Sequence, residues 1–235
     1  MRAWESAQRL HPLDRGTAIL ATALPDRTPD VLDALPLGDR QSLLFRLREL
    51  TFGPHLEGVA DCSSCGEPLE FELDLAAVAD ASEVAPGGEV EIALDGYDLR
   101  LRPLCFEDVR VAATYTDPLA ARRCLAERSV VLASRDEVTV PSRDLPDSLI
   151  DGIGAALAEI DGGAEVLLEL VCPACQAKVT PVLDGAEILW AEVRAQALRL
   201  LREVHTLASA YGWSEGDILS MSGARRASYL ALVEE

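Results

Sequence analysis

The sequence predicts an α+β fold from three observations: helical apolar periodicity at both ends of the chain, two Cys-x-x-Cys turns each set between short extended runs, and a β-hairpin signal between those turns. With 235 residues, 49% of them hydrophobic, the chain is long enough to bury a substantial core. Four parts are expected: an N-terminal helical segment over 1–58, a split ribbon of 59–75 plus 166–183, an inserted α+β subdomain over 76–165, and a C-terminal helical hairpin over 184–235.

The first part reads as helical. Asp14 is expected to cap a helix running through Ile19, Leu20 and Ala23, which the stretch from Pro25 to Pro29 breaks. Gly38-Asp39-Arg40 opens a second helix with Leu43, Leu44, Leu47 and Leu50 at helical spacing, stopped by Gly53-Pro54. The two helices are expected to pair antiparallel.

Residues 59–75 change character. Cys62-Ser63-Ser64-Cys65-Gly66 runs into Glu67-Pro68-Leu69-Glu70-Phe71-Glu72-Leu73-Asp74-Leu75, which alternates apolar and acidic residues as a half-buried strand does. The plan recurs where Leu168-Glu169-Leu170-Val171 leads into Cys172-Pro173-Ala174-Cys175 and then Lys178-Val179-Thr180-Pro181-Val182-Leu183. Between the copies, Pro86-Gly87-Gly88 opens an insertion. Glu89 to Leu94, Asp95-Gly96 and Tyr97 to Arg102 predict a hairpin with a primed turn, and helical stretches follow around 106–114, 118–128 and 146–160.

A capping box at Asp184 and Glu187 starts the longest predicted helix. Trp190, Val193, Ala197, Leu200, Val204, Leu207 and Tyr211 follow at three-four spacing as far as Gly212. That stripe serves either packing within the chain or partner docking. Ser214 and Ser222 mark the starts of two more short helices.

The cysteines carry the chemistry. Two thiolates two residues apart on a turn lie on one side of the backbone, at the separation a tetrahedral metal requires. Cys62, Cys65, Cys172 and Cys175 together supply four soft sulfurs and leave no coordination position for water, so one structural Zn2+ per chain is expected, buried where the two knuckles meet. The long stretch between the pairs is no obstacle, because loop-closure entropy grows only logarithmically with length. The fold is then α+β with a split zinc-ribbon β core, a hairpin-plus-helices insertion and helical N- and C-terminal segments. Zinc shared between subunits, pairs packed without metal, and a redox dithiol are the alternatives. The last lacks the helix N-terminus that lowers a redox thiol's pKa, since strands follow both pairs and prolines stand at 68 and 181. Cys105 and Cys124 read as core thiols and His205 as a helix-packing residue. Gly152-Ile153-Gly154 reads as a turn or helix irregularity, and Arg225-Arg226 as a solvated helix face.

No nucleophile elbow, P-loop, dinucleotide fingerprint or His-Glu metalloprotease motif is present, and no enzyme is expected. A formal net charge of -19 disfavours nucleic acid, because a phosphate backbone would approach against a negative field. With no apolar run of membrane-spanning length and no signal-peptide pattern in Met1-Arg2-Ala3-Trp4-Glu5-Ser6, the expectation is a soluble, cytoplasmic protein without a membrane partner.

The order Leu10-His11-Pro12-Leu13-Asp14-Arg15, Leu35-Pro36-Leu37-Gly38-Asp39-Arg40, the two Cys turns, Val204-His205-Thr206-Leu207-Ala208, Tyr211-Gly212-Trp213-Ser214-Glu215 and Arg225-Arg226 with Tyr229-Leu230 resembles a bacterial baseplate-protein family. That family is similar to the baseplate proteins of contractile phage tails and is encoded with phage tail-like contractile injection systems. The resemblance runs over nearly the whole chain and is most specific in the C-terminal stretch. It implies a noncatalytic structural or assembly role, with other baseplate, tube or spike proteins as partners and possible incorporation into the particle. A zinc-ribbon nucleic-acid or transcription-associated module is the alternative, but acidic Asp61, Glu67, Glu70, Glu72 and Asp74 stand where such a module needs Lys and Arg.

Overall fold

The computed structural model describes residues 1–75 and 88–234, so the expected opening of the insertion at Pro86-Gly87 lies outside the described residues. The chain mixes helices and strands, as an α+β protein does. Four helices come first: α1 (Arg2–Ala7), α2 (Pro12–Ala23), α3 (Pro29–Asp33) and α4 (Leu37–Phe52).

Two expectations for this region need correction. The cap of α2 is His11, whose Nδ1 accepts from the Leu13 amide; Pro12 occupies the first helical position with its backbone already set, which leaves Asp14 inside the first turn. Pro29 does not only break a helix but begins one, for the same reason. The end of α4 at Gly53, with φ +94, is as expected.

Strands β1 (His55–Asp61) and β2 (Pro68–Asp74) form one antiparallel pair whose register closes at Asp61 opposite Pro68. In the insertion, β3 (Val90–Leu94) and β4 (Tyr97–Leu101) make the hairpin, and positive φ at both Asp95 and Gly96 gives the primed turn. Helices α5 (Phe106–Ala112) and α6 (Pro118–Ser129) follow. The chain then passes directly into β5 (Val130–Arg135) and β6 (Val138–Thr139), so the hairpin is half of a four-stranded sheet of order β3-β4-β5-β6. Single 3-10 turns at Ser142–Asp144 and Asp147–Leu149 lead into α7 (Ile150–Ile160).

Gly152 lies inside α7 and not at a turn. A Cβ there would come within 2.4 Å of Leu94, so glycine is what lets the helix lie against the β3 end of the hairpin. Leu99, Leu101, Ala133, Leu145, Leu149 and Ile153 fill the core between sheet and helices.

After α7, β7 (Val166–Leu167) pairs with β10 (Val182–Leu183), and β8 (Leu170–Val171) with β9 (Lys178–Val179). The two ladders are halves of one hairpin. They part at Pro181, which has no N–H to give, while its carbonyl accepts from the Leu168 amide at 3.0 Å.

The long helix α8 (Gly185–Tyr211) starts where the Asp184 carboxylate accepts from the Ala186 and Glu187 amides and ends at left-handed Gly212. Its N-terminal half packs against the first helices, with Leu20, Leu32, Leu44 and Leu189 in one core. The buried Arg48 of α4 fixes that packing: its Nε and one terminal nitrogen meet the Glu192 carboxylate at 2.7–3.2 Å, and the other donates to the Gly53 carbonyl at 2.7 Å. The C-terminal half of α8 carries α9 (Glu215–Ser220) and α10 (Gly223–Glu234), folded back against it. Tyr211 and Trp213 stack at that end with Tyr229 edge-on to both, and Arg226 is not a solvated residue but is held by Glu203 of α8 at 3.0 Å. His205, expected to pack, is exposed on α8 because Leu207 and Val204 take the inward face.

Candidate metal centre

Each Cys pair sits on a knuckle whose backbone bonds repeat. In the first, the Cys62 amide donates to the Glu67 carbonyl and the Gly66 amide to the Cys62 carbonyl, at 2.9 and 2.8 Å. In the second, Cys172 and Ala177 stand as Cys62 and Glu67 do, and the Gln176 amide donates to the Cys172 carbonyl, both at 2.9 Å. The residue after each second cysteine must turn left-handed: Gly66 has φ +76 and Gln176 φ +61. Glycine takes that conformation at no cost, whereas Gln176 holds it under strain of about 1 kcal/mol.

The two knuckles bring all four sulfurs within 4.8 Å of one another. Cys62 Sγ lies 3.6 Å from Cys175 Sγ, and Cys65 Sγ lies 3.7 Å from Cys172 Sγ. Four sulfurs at the corners of a tetrahedron around one ion, each about 2.3 Å from it, are separated by roughly 3.8 Å. The donor set is therefore of the right kind and spacing to hold a metal ion, and no other group of three or more candidate ligands occurs among the described residues. Cys105 and Cys124 stay outside the cluster, half-buried. Cys105 does something else: it caps α5, with its amide and thiol both directed at Asp108.

The centre is only half buried, contrary to expectation. Cys62 and Cys172, the first of each pair, are closed off beside Leu69 and Val179, while Cys65 and Cys175 are exposed because the knuckle tips project beyond the strands. Backbone amides and neighbouring sulfurs, more than burial, set the thiol acidity. The amides of Ser64 and Cys65 point at the Cys62 sulfur and draw its pKa down to about 6. The Glu67 amide acts the same way on Cys65, but the Cys175 and Cys62 sulfurs outweigh it and push that thiol up to about 12. Cys175 is also raised: the Ala177 amide and the Cys65 sulfur lower it, but burial with the Cys62 and Cys172 sulfurs outweighs them. Four thiols this close cannot all ionise together, and a divalent cation is the group that removes the conflict.

The surroundings are acidic. Asp61, Glu67, Glu70 and Glu72 are all exposed along the first knuckle and its strands. No described helix is long and apolar enough to cross a membrane.

A mixed helix-and-strand chain with four convergent thiols defines the class as a protein with a candidate metal-binding cysteine cluster, and comparison names the family. The model of the family described as T4 bacteriophage base plate protein matches residues 17–187, a span that holds both knuckles and the whole insertion, and the chain belongs to that family. The match stops near the start of α8, so the C-terminal stretch, expected to be the most specific part, lies outside it. No curated protein and no solved structure gives a significant match.

Proposed function

We propose that this protein is a noncatalytic structural or assembly component of the baseplate of a phage tail-like contractile injection system, with one structural zinc ion held by Cys62, Cys65, Cys172 and Cys175. The observation that carries the reading is the joint one: a baseplate family match over residues 17–187 and four convergent sulfurs inside that span. Four thiolates saturate a tetrahedral ion, so such a centre pins two remote stretches of chain together and has no position for a substrate. The two knuckles then act as a split zinc ribbon over 59–75 plus 166–183. Residues 76–165 form an inserted subdomain, and 1–58 and 184–235 form helical segments that share a core through α2, α4 and α8.

The partners are other baseplate, tube or spike proteins, met in the cytoplasm during assembly. The acidic rim of the first knuckle argues against nucleic acid as the partner. Two experiments test the reading. Native mass spectrometry is expected to find one zinc per chain, and electron microscopy of particles from a deletion strain is expected to find defective or missing baseplates. Normal, fully contractile particles in that strain would refute the assembly role, whereas metal-free soluble protein would refute the zinc.

A further inference from the structure

A cleft of about 280 Å³ opens between α2, α4, α5 and the first turns of α8, and its lining includes Arg15, Arg40, Gln41, Phe106, Glu187 and Trp190. Two arginines in it have a buried Nε without an acceptor among the described residues. Arg40 is 4% exposed, and among the described residues its guanidinium makes one hydrogen bond, from a terminal nitrogen to Thr17 Oγ1 at 2.9 Å. Its Nε is shut off from water with no acceptor, and so is the Nε of Arg15. Neither guanidinium forms an ion pair among the described residues; each lies instead over an aromatic ring, Arg40 on Phe106 at 4.1 Å and Arg15 on Trp190 at 4.9 Å.

The nearby acids are already engaged. Asp33 accepts from Thr17 through one oxygen at 2.6 Å and from Arg110 through the other at 2.7 Å, while Asp14 also takes Arg110. Asp184 is spent on the amides of α8, which removes that helix N-terminus as an anion site. Burial pulls the Arg40 pKa down further than Asp33 and Asp184 raise it, so the cation sits in an environment that does not fully compensate it. The place is nonetheless built: at Gly16 of α2, a Cβ would meet the Arg40 guanidinium at 2.9 Å, and the gap left by glycine is what admits it. Two stacked guanidiniums with unused donors form a receptor for a planar anion.

We propose that this cleft receives a single carboxylate, borne by an acidic side chain of an adjoining protein, between Arg15 and Arg40. A cleft of about 280 Å³ is large enough to admit one carboxylate-bearing side chain. The charge favours a monoanion, because a phosphate dianion would also face Glu187 and Asp184 on the lining. That the carrier is a protein rests on the assembly reading above; the receptor itself does not.

The test is a titration of the full-length, metal-loaded chain followed by NMR of the Arg15 and Arg40 Nε–H groups. The probe is a blocked Gly-Glu-Gly peptide, with blocked Gly-Gln-Gly and sodium chloride at equal ionic strength as controls. Saturable shifts of both signals are expected with the Glu peptide alone, with half-saturation near a millimolar, as suits one carboxylate on two cations. Arg15→Gln, at the rim, is expected to weaken binding about tenfold; Arg40→Gln is expected to abolish it, and the Arg15 variant keeps the test decisive where loss of Arg40 disturbs folding. Equal shifts with the Gln peptide or chloride overturn the receptor. Tighter binding of free glutarate or inorganic phosphate than of the Glu peptide overturns the side-chain assignment. Particle assembly is not read in this titration, so its failure leaves the baseplate role to be judged by the deletion strain.

Discussion

The knuckle pair and the inserted sheet are stabilised by different means. In the insertion, Leu99, Leu101, Leu145, Leu149 and Ile153 are at most 3% exposed and lie between a four-stranded sheet and helices. At the knuckles, the buried cluster is Leu69 and Val179 with the two inner cysteines, on two-stranded ladders, one of seven-residue strands and one of two-residue strands. Isolated two-stranded hairpins are marginal in water. The first region rests on buried apolar area; in the second, the base of the ribbon packs on Phe45, Leu56, Leu75 and Leu183, while its tips meet through the four sulfurs.

The largest expected effect breaks the weaker region. Cys62→Ser or Cys172→Ser is expected to abolish stoichiometric zinc and give insoluble or molten protein, because structural zinc contributes on the order of 10 kcal/mol to small metal-folded units. Metal analysis with near-UV circular dichroism reads this, and soluble mutants that melt cooperatively would count against it. Milder chelation sharpens the comparison: by hydrogen exchange, strands β1, β2 and β7 to β10 should lose protection while β4 and α7 keep theirs.

The next effect strikes the other region. Leu149 is fully buried, and Leu149→Ala should destabilise the insertion by about 2–5 kcal/mol through lost transfer energy and a cavity, with zinc stoichiometry unchanged. Denaturant melting and metal analysis on the same sample check both halves of that statement.

Acid should separate the regions by a smaller amount. Burial alone would raise the Asp108 carboxyl, but hydrogen bonds from Arg102, the Cys105 amide and Arg128 outweigh it and hold its pKa at about 2, against an ordinary 3.8. A carboxyl depressed in the folded state adds stability above its unfolded pKa and loses it as pH falls through the folded value. The window is therefore pH 4 down to 2, and the amount is on the order of 2 kcal/mol. Asp108→Asn should flatten the acid limb of the stability curve there; an unchanged limb would show that the Arg102–Asp108–Arg128 cluster contributes nothing.

The smallest effect compares the two knuckles with each other. Gln176→Gly should stabilise the second by about 0.5–1 kcal/mol, and Gly66→Gln should cost the first a similar amount, since only glycine takes positive φ without strain. Differential scanning calorimetry of the two zinc-loaded variants should show opposite shifts in Tm.

The legible parts of the chain share a property: their signals are local. Asp95-Gly96 announces its turn because both residues must adopt positive φ, and Asp184 and Gly212 mark the ends of α8 by the groups they offer its unpaired amides and carbonyls. The second half of the inserted sheet carries no such mark. Helix α6 runs into β5 without a turn, β6 is only Val138–Thr139, and the turn between them puts Asp136 and Glu137 at φ 50 and 63 without a glycine to signal it. β5 adopts strand geometry because β4 offers it an edge, with Leu99 opposite Ala133 and Arg100 opposite Leu132.

Sequence by itself determined the stop of α4, both ends of α8, the hairpin and the identity of the four candidate ligands, since caps, turns and thiols act over a few residues. Tertiary structure alone decided that Cys62 meets Cys175 and Cys65 meets Cys172, that Arg48 closes on Glu192, and that Arg40 is enclosed beside Arg15. Each of those encounters joins residues far apart along the chain, and the free energy that selects them comes from packing whole helices and sheets, which no short stretch of sequence contains.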